Sequence, residues 1–116
     1  MKFIYYPPCS TCKKAKAWLE DHALPFEGRD IKLENPSLEE LTRWVSISGL
    51  PIKKFFNTSG LKYKELNLKD RLPAMSQQEQ LELLASDGML VKRPIVIKEN
   101  LVLVGFKPLD WEKNLL

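Results

Sequence analysis

Cysteine is scarce in this chain: two residues among 116, at positions 9 and 12, with His22 as the lone histidine. A structural zinc site takes about four nitrogen or sulfur ligands, so one copy could not close such a site without bridging to a second. Were residues 10 to 22 helical, His22 would also lie roughly 15 Å from the pair by helical rise. No metal is therefore expected, and His22 reads as a helix-end residue that favours the dipole. Long apolar runs are missing too. No window approaches the ~20 apolar residues of a membrane helix, and the start, MKFIYYPPC, falls short of the ~7–15-residue apolar core of a signal peptide. The expected compartment is the cytosol, away from any membrane. Basic runs never exceed two residues, and the net charge is only +3, so direct nucleic-acid binding is not indicated.

What is present suits one globular domain over residues 1–116: 44% hydrophobic and 28% charged residues are enough for a core without staples. KFIYY (2–6) reads as a buried strand stopped by Pro7-Pro8. Ala15, Trp18, Leu19 and His22 then recur at helical spacing, giving an amphipathic helix that ends before Pro25. FEGRDI (26–31) is a second strand, so the start is a βαβ unit with parallel strands. Ser37-Leu38-Glu39-Glu40 and Ser76-Gln77-Gln78-Glu79 are capping boxes that open two helices. Gly49-Leu50-Pro51 breaks the first, a short helical turn is expected over 52–56, NTSG (57–60) is a loop, and Gly88 is placed as the residue after the second helix. PIVI (94–97) and LVLV (101–104) form an antiparallel hairpin, and LDWEKNLL (109–116) a closing helix. The fold class is α/β, with a four-stranded mixed sheet in the order βαβ, helical insertion at about 37–93, ββα.

The pair Cys9-Ser10-Thr11-Cys12 stands between the first strand and the first helix. Three readings are open: a redox couple, half of a bridged metal site, or two packing thiols. In a reducing compartment stable structural disulfides are rare, which favours redox use. At a helix start the unpaired N–H groups and the macrodipole favour negative charge, so Cys9 is expected to ionise easily and Lys13 and Lys14 to reinforce it. Cys12, a turn inside, would resolve a mixed disulfide formed on Cys9. Ser10 and Thr11 are small hydroxyl residues able to turn tightly and cap the helix.

The order of elements with C-x-x-C ahead of the first helix resembles the thioredoxin fold, in its glutaredoxin-type form. That resemblance implies that Pro94 is cis and faces the cysteines, which would bring Arg93 near Cys9. More specifically, PxCxTCKKAxxWL (7–19), FFNTSGxxYxEL (55–66), LLASDGMLVKRPIV (83–96) and VGF (104–106) together resemble the arsenate-reductase-like (ArsC) family, nearest its Spx/MgsR branch. The resemblance covers essentially the whole chain and implies two kinds of function. One is redox chemistry at Cys9 with an external reductant, glutathione with glutaredoxin or thioredoxin. In the arsenate reductases three arginines bind the oxyanion. Here only Arg93 matches, the other two positions reading Asn57 and Phe106-Lys107, and a lysine is no substitute for the planar fork. The other is redox-sensing transcription regulation through the C-terminal domain of the RNA polymerase α subunit, where Gly49 resembles a contact glycine. The reading preferred here is a cytosolic thiol–disulfide protein, acting as a monomer and without a cofactor: Cys9, Cys12 and Arg93 carry the chemistry, and Pro94, Lys13, Ser10 and Thr11 shape the substrate site. The RNA-polymerase-binding regulator is the alternative, and arsenate reduction the least favoured.

Overall fold

The protein is described here from a computed structural model covering all 116 residues. Phe3 and Ile4 are both fully buried and point to opposite faces of their strand, so β1 (Lys2–Tyr5) is an interior strand. It pairs in parallel with β2 (Glu27–Asp30), Lys2 opposite Glu27 and Tyr5 opposite Asp30. On its other side runs antiparallel β3 (Ile95–Lys98), which in turn pairs with antiparallel β4 (Leu101–Val104), giving the order β2-β1-β3-β4. The hairpin loop is tighter than its sequence suggests. Lys98 belongs to β3, and only Glu99 and Asn100 turn the chain, Glu99 at φ 53°.

Each face of the sheet has its own core. Phe3 and Val96 meet α1 (Ser10–Asp21) through Ala15 and Leu19, and α6 (Pro108–Leu115) through Trp111 and Leu115. Trp111 stands edge-on to Phe3, Trp18 and Phe106, and its indole N–H donates to the Gly105 carbonyl at 3.1 Å, so the large ring is buried with its polar atom satisfied. His22 is exposed just beyond α1, stacked on Trp18, with Nδ1 2.8 Å from the Trp18 carbonyl oxygen.

Ile4, Ile95 and Val102 face the opposite way, into a core of sixteen buried residues shared with the segment between β2 and β3. That segment begins with α2 (Leu38–Ser48), whose Ser37–Glu40 capping box is formed and whose end is closed by Gly49 at φ 67°. A single 3-10 turn, Ile52–Phe55, leads to Phe56, which bridges to Val91. Two short helices follow that the sequence reading left out, α3 (Leu61–Glu65) and α4 (Leu68–Arg71). Neither has a side-chain cap, and four or five residues are too few to show a helical period. The capping box at Ser76 and Glu79 opens α5 (Gln77–Ser86).

Gly88 requires a correction. It is not a left-handed helix end: Asp87 follows α5 in extended conformation, and Gly88 starts a 3-10 turn. It is glycine because a Cβ there would lie 1.9 Å from the Ile31 carbonyl oxygen, so the chain crosses at backbone contact. Nearby, Arg29 on β2 ties the sheet to α2 through a bidentate pair with Glu40, at 2.7 and 2.9 Å. That pairing holds the Glu40 carboxyl down to about 2, against the cost of burial and with help from the Ser37 N–H.

Candidate functional site

Cys9 is the N-cap of α1, extended at φ −71° and ψ 126°, its N–H donating to the Tyr6 carbonyl at 2.9 Å. Its side chain is half-exposed, whereas Cys12, one turn on, is fully buried. The two sulfurs titrate in opposite directions. Burial pushes the Cys9 thiol up, but the Cys12 N–H, the Arg93 guanidinium, the Cys12 thiol and the Thr11 N–H together outweigh it and bring Cys9 below an ordinary thiol. Burial pushes Cys12 up to about 12, and the negative Cys9 sulfur adds to the rise. Only the Tyr6 N–H, 3.5 Å from the Cys12 sulfur, and the more distant charge of Arg93 oppose it. The helix start thus supplies N–H groups to one thiol while the core withholds solvent from the other.

Arg93 sits where the chain enters β3, and the Arg93–Pro94 bond is cis, as the resemblance implied. Its guanidinium carbon lies 5.0 Å from the centre of the Tyr6 ring, a stacking contact that fixes the head group. One of its terminal nitrogens, Nη1, is buried with no hydrogen-bond partner. Leaving a charged donor unpaired in this way is costly, and an anion beside Cys9 would satisfy it.

Cys9, Thr11 and Arg93 line a groove of about 1200 Å³. One wall is the segment from Lys53 through Leu61 and Lys62, and the other comes from Lys92 and the stretch Val104–Lys107. Backbone hydrogen bonds pin these parts together beside Arg93: Lys92 N–H to the Phe55 carbonyl at 2.7 Å and Asn57 N–H to the Leu90 carbonyl at 2.8 Å. Asn57, Arg93 and Lys107, far apart in sequence, therefore share one cavity. Phe106 lines it too, so the positions that the resemblance aligned with the oxyanion arginines, Asn57, Arg93 and Phe106-Lys107, lie together with a single arginine among them. Ser10 and Lys13 are exposed on the first turn of α1 outside the groove, and Pro94 is buried behind it. Gly49 is exposed, with open space around its Cα, and only its neighbour Leu50 reaches the groove rim. Sequence reasoning missed Tyr6, which serves both sulfur and guanidinium, and Lys62. A tyrosine before two prolines carries no signal of such a role, and Lys62 lies on the helix that escaped notice.

No group of three His, Cys, Asp or Glu side chains is placed to hold a metal ion, and no helix is long and apolar enough to cross a membrane.

A parallel–antiparallel sheet of this order, with C-x-x-C at the head of the first helix and a helical segment between β2 and β3, is a thioredoxin-like fold. The chain belongs to the ArsC family, whose model matches residues 4–114. It is 54% identical to the YusI protein of Bacillus subtilis strain 168, over 98% of this chain and 97% of that one. It is 33% identical to the regulatory protein MgsR of the same strain, over 93% of this chain and 84% of MgsR. The crystal structure of an ArsC-family-related protein from Bacteroides fragilis superposes with a TM-score of 0.95 at 56% identity, covering 97% of this chain and 94% of that chain.

Proposed function

We propose that the protein is a thiol–disulfide redox protein in which Cys9 attacks and Cys12 resolves. The observation that carries this reading is the unequal placement of two sulfurs one helical turn apart: one half-exposed at the N-cap and favoured as thiolate, one fully buried and held as thiol. In the first step the Cys9 thiolate attacks a substrate disulfide. A bond forms from Cys9 to one substrate sulfur, and the other leaves as a thiolate with the electron pair. The Arg93 guanidinium beside Cys9 favours that developing anion. In the second step the mixed disulfide has removed the Cys9 charge that added to the effect of burial on Cys12, and Cys12 gives its proton to the departing substrate thiolate. It then attacks the Cys9 sulfur, expels the remaining substrate thiolate and closes the Cys9–Cys12 disulfide. Two electrons have passed from the pair to the substrate, and a thiol reductant, glutathione with glutaredoxin or thioredoxin, returns them. Pro94 sets Arg93 at the head of β3, while Ser10 and Thr11 form the turn between the thiols and Lys13 adds positive charge at its side.

The test is alkylation followed by mass measurement, before and after mild peroxide. Reduced protein should label at Cys9 faster than at Cys12, and oxidised protein at neither. Equal labelling of both thiols after peroxide would mean that no internal disulfide forms, and would overturn the reading.

The similarity to MgsR over 93% of the chain favours a second reading, redox-dependent regulation through the C-terminal domain of the RNA polymerase α subunit. Gly49 and Leu50 form an open corner after α2 that suits a protein contact. Titration of that domain with reduced and oxidised protein decides the matter, and absence of binding in both states excludes it.

A further inference from the structure

Positive charge in this molecule is concentrated around the candidate thiol. Six basic side chains line the groove, Lys53, Lys54, Lys62, Lys92, Arg93 and Lys107, against the two acids Glu65 and Asp87. That local balance of +4 exceeds the +3 of the whole chain, so the remaining surface is close to neutral. Low-dielectric walls focus such a field on the space in front of Cys9. The groove is also larger than a small-molecule site. Its volume of about 1200 Å³ lies above the ~300–1,000 Å³ of ordinary ligand pockets. Two leucines stand out of its walls, Leu61 at 78% exposure and Leu50 at 38%, where an apolar side chain of a larger partner could cover them. A small acidic thiol would satisfy Arg93 but would leave the lysines at 53, 54 and 62 and both leucines in water.

We propose, resting on the thiol–disulfide reading above, that the substrate is an extended acidic segment of a partner protein that presents a disulfide-bonded cysteine to Cys9. Carboxylates flanking the cysteine pair with the groove lysines, and an apolar side chain seats against Leu50 or Leu61. The covalent step is the exchange already balanced above: the Cys9 thiolate bonds to the segment's cysteine sulfur, and the other half of its disulfide leaves as thiolate.

The experiment follows mixed-disulfide formation on Cys12→Ser protein, which stops after the first step. The probes are short peptides with one cysteine blocked by 2-mercaptoethanol, flanked by aspartate and glutamate, by serine, or by lysine. Glutathione disulfide and hydroxyethyl disulfide complete the set. The acidic peptide should react roughly tenfold faster than the serine peptide at low salt, with the advantage lost near ~1 M salt. The acid-to-serine ratio should collapse in Lys53→Glu/Lys54→Glu and in Lys62→Glu, and should survive in Lys113→Glu on α6. Equal rates for acidic and lysine peptides overturn the proposal, as does glutathione disulfide matching the acidic peptide, which would assign the groove to a small acidic thiol. Failure of every probe, hydroxyethyl disulfide included, strikes instead at the reactivity of Cys9 and at the underlying reading.

Discussion

On one face of the sheet six buried side chains from β1, β3, α1 and α6 form a small core, edged by the partly buried rings of Tyr5, Trp18, Phe26 and Phe106, under the helix that Cys9 caps. On the other face sixteen buried residues hold the segment between β2 and β3 against the strands. The first region seats α1 and with it the Cys9 sulfur at the helix start, where the peptide N–H groups favour the thiolate. The second holds the wall of the groove from Lys53 to Lys62. In the proposed reading, reactivity and selectivity fall to opposite faces, joined at Arg93 just ahead of β3, the strand shared by both cores.

Breaking the small core should have the largest effect. Trp111→Ala removes its biggest side chain and the indole hydrogen bond to Gly105, and should cost about 3–5 kcal/mol by urea denaturation. A loss below that of an ordinary surface change would show that α6 is not needed to seat α1. Gly88→Ala comes next, since its Cβ would press on the Ile31 carbonyl oxygen. Roughly 1–3 kcal/mol should be lost, with the pH midpoint of Cys9 alkylation unchanged. A shifted midpoint would mean that the insertion governs the thiol after all.

The Arg29–Glu40 clamp sharpens the comparison by joining the two regions. Because the Glu40 carboxyl is held from the usual 4.5 down to about 2, its contribution is complete above pH 4.5 and disappears as the pH falls through about 2. Solvent screening limits that contribution to roughly 1 kcal/mol. Glu40→Gln keeps a capping acceptor but should lose that amount at neutral pH and flatten the stability profile in acid. The smallest change in folding belongs to Arg93→Ala, while the same variant should raise the pH at which Cys9 alkylates by removing the guanidinium that favours the thiolate. An unmoved midpoint would leave the helix N–H groups and the Cys12 thiol as the support of that anion.

Elements with a local cause were legible in advance. β1 reads from four aromatic and β-branched residues before two prolines, and both capping boxes appear at Ser37 and Ser76 as expected. The N-cap position of Cys9 follows from its place ahead of a helical stripe, and the burial of Cys12 from its lying on that stripe with Ala15 and Leu19. Gly88 was misread because a close backbone crossing with Ile31, 57 residues away, leaves no trace in its neighbours. Lys62 and Tyr6 escaped for the same reason: their roles depend on what folds against them.

By itself, the order of residues determined the four strands, the helices α1, α2, α5 and α6, the two thiols at a helix start and their unequal depth, since each of these is decided within a turn or two of chain. Tertiary structure alone decided which cations surround Cys9, that Asn57, Arg93 and Lys107 share one cavity, and that one arginine nitrogen is left without a partner. Charges act through space, and only packing settles which of them are near.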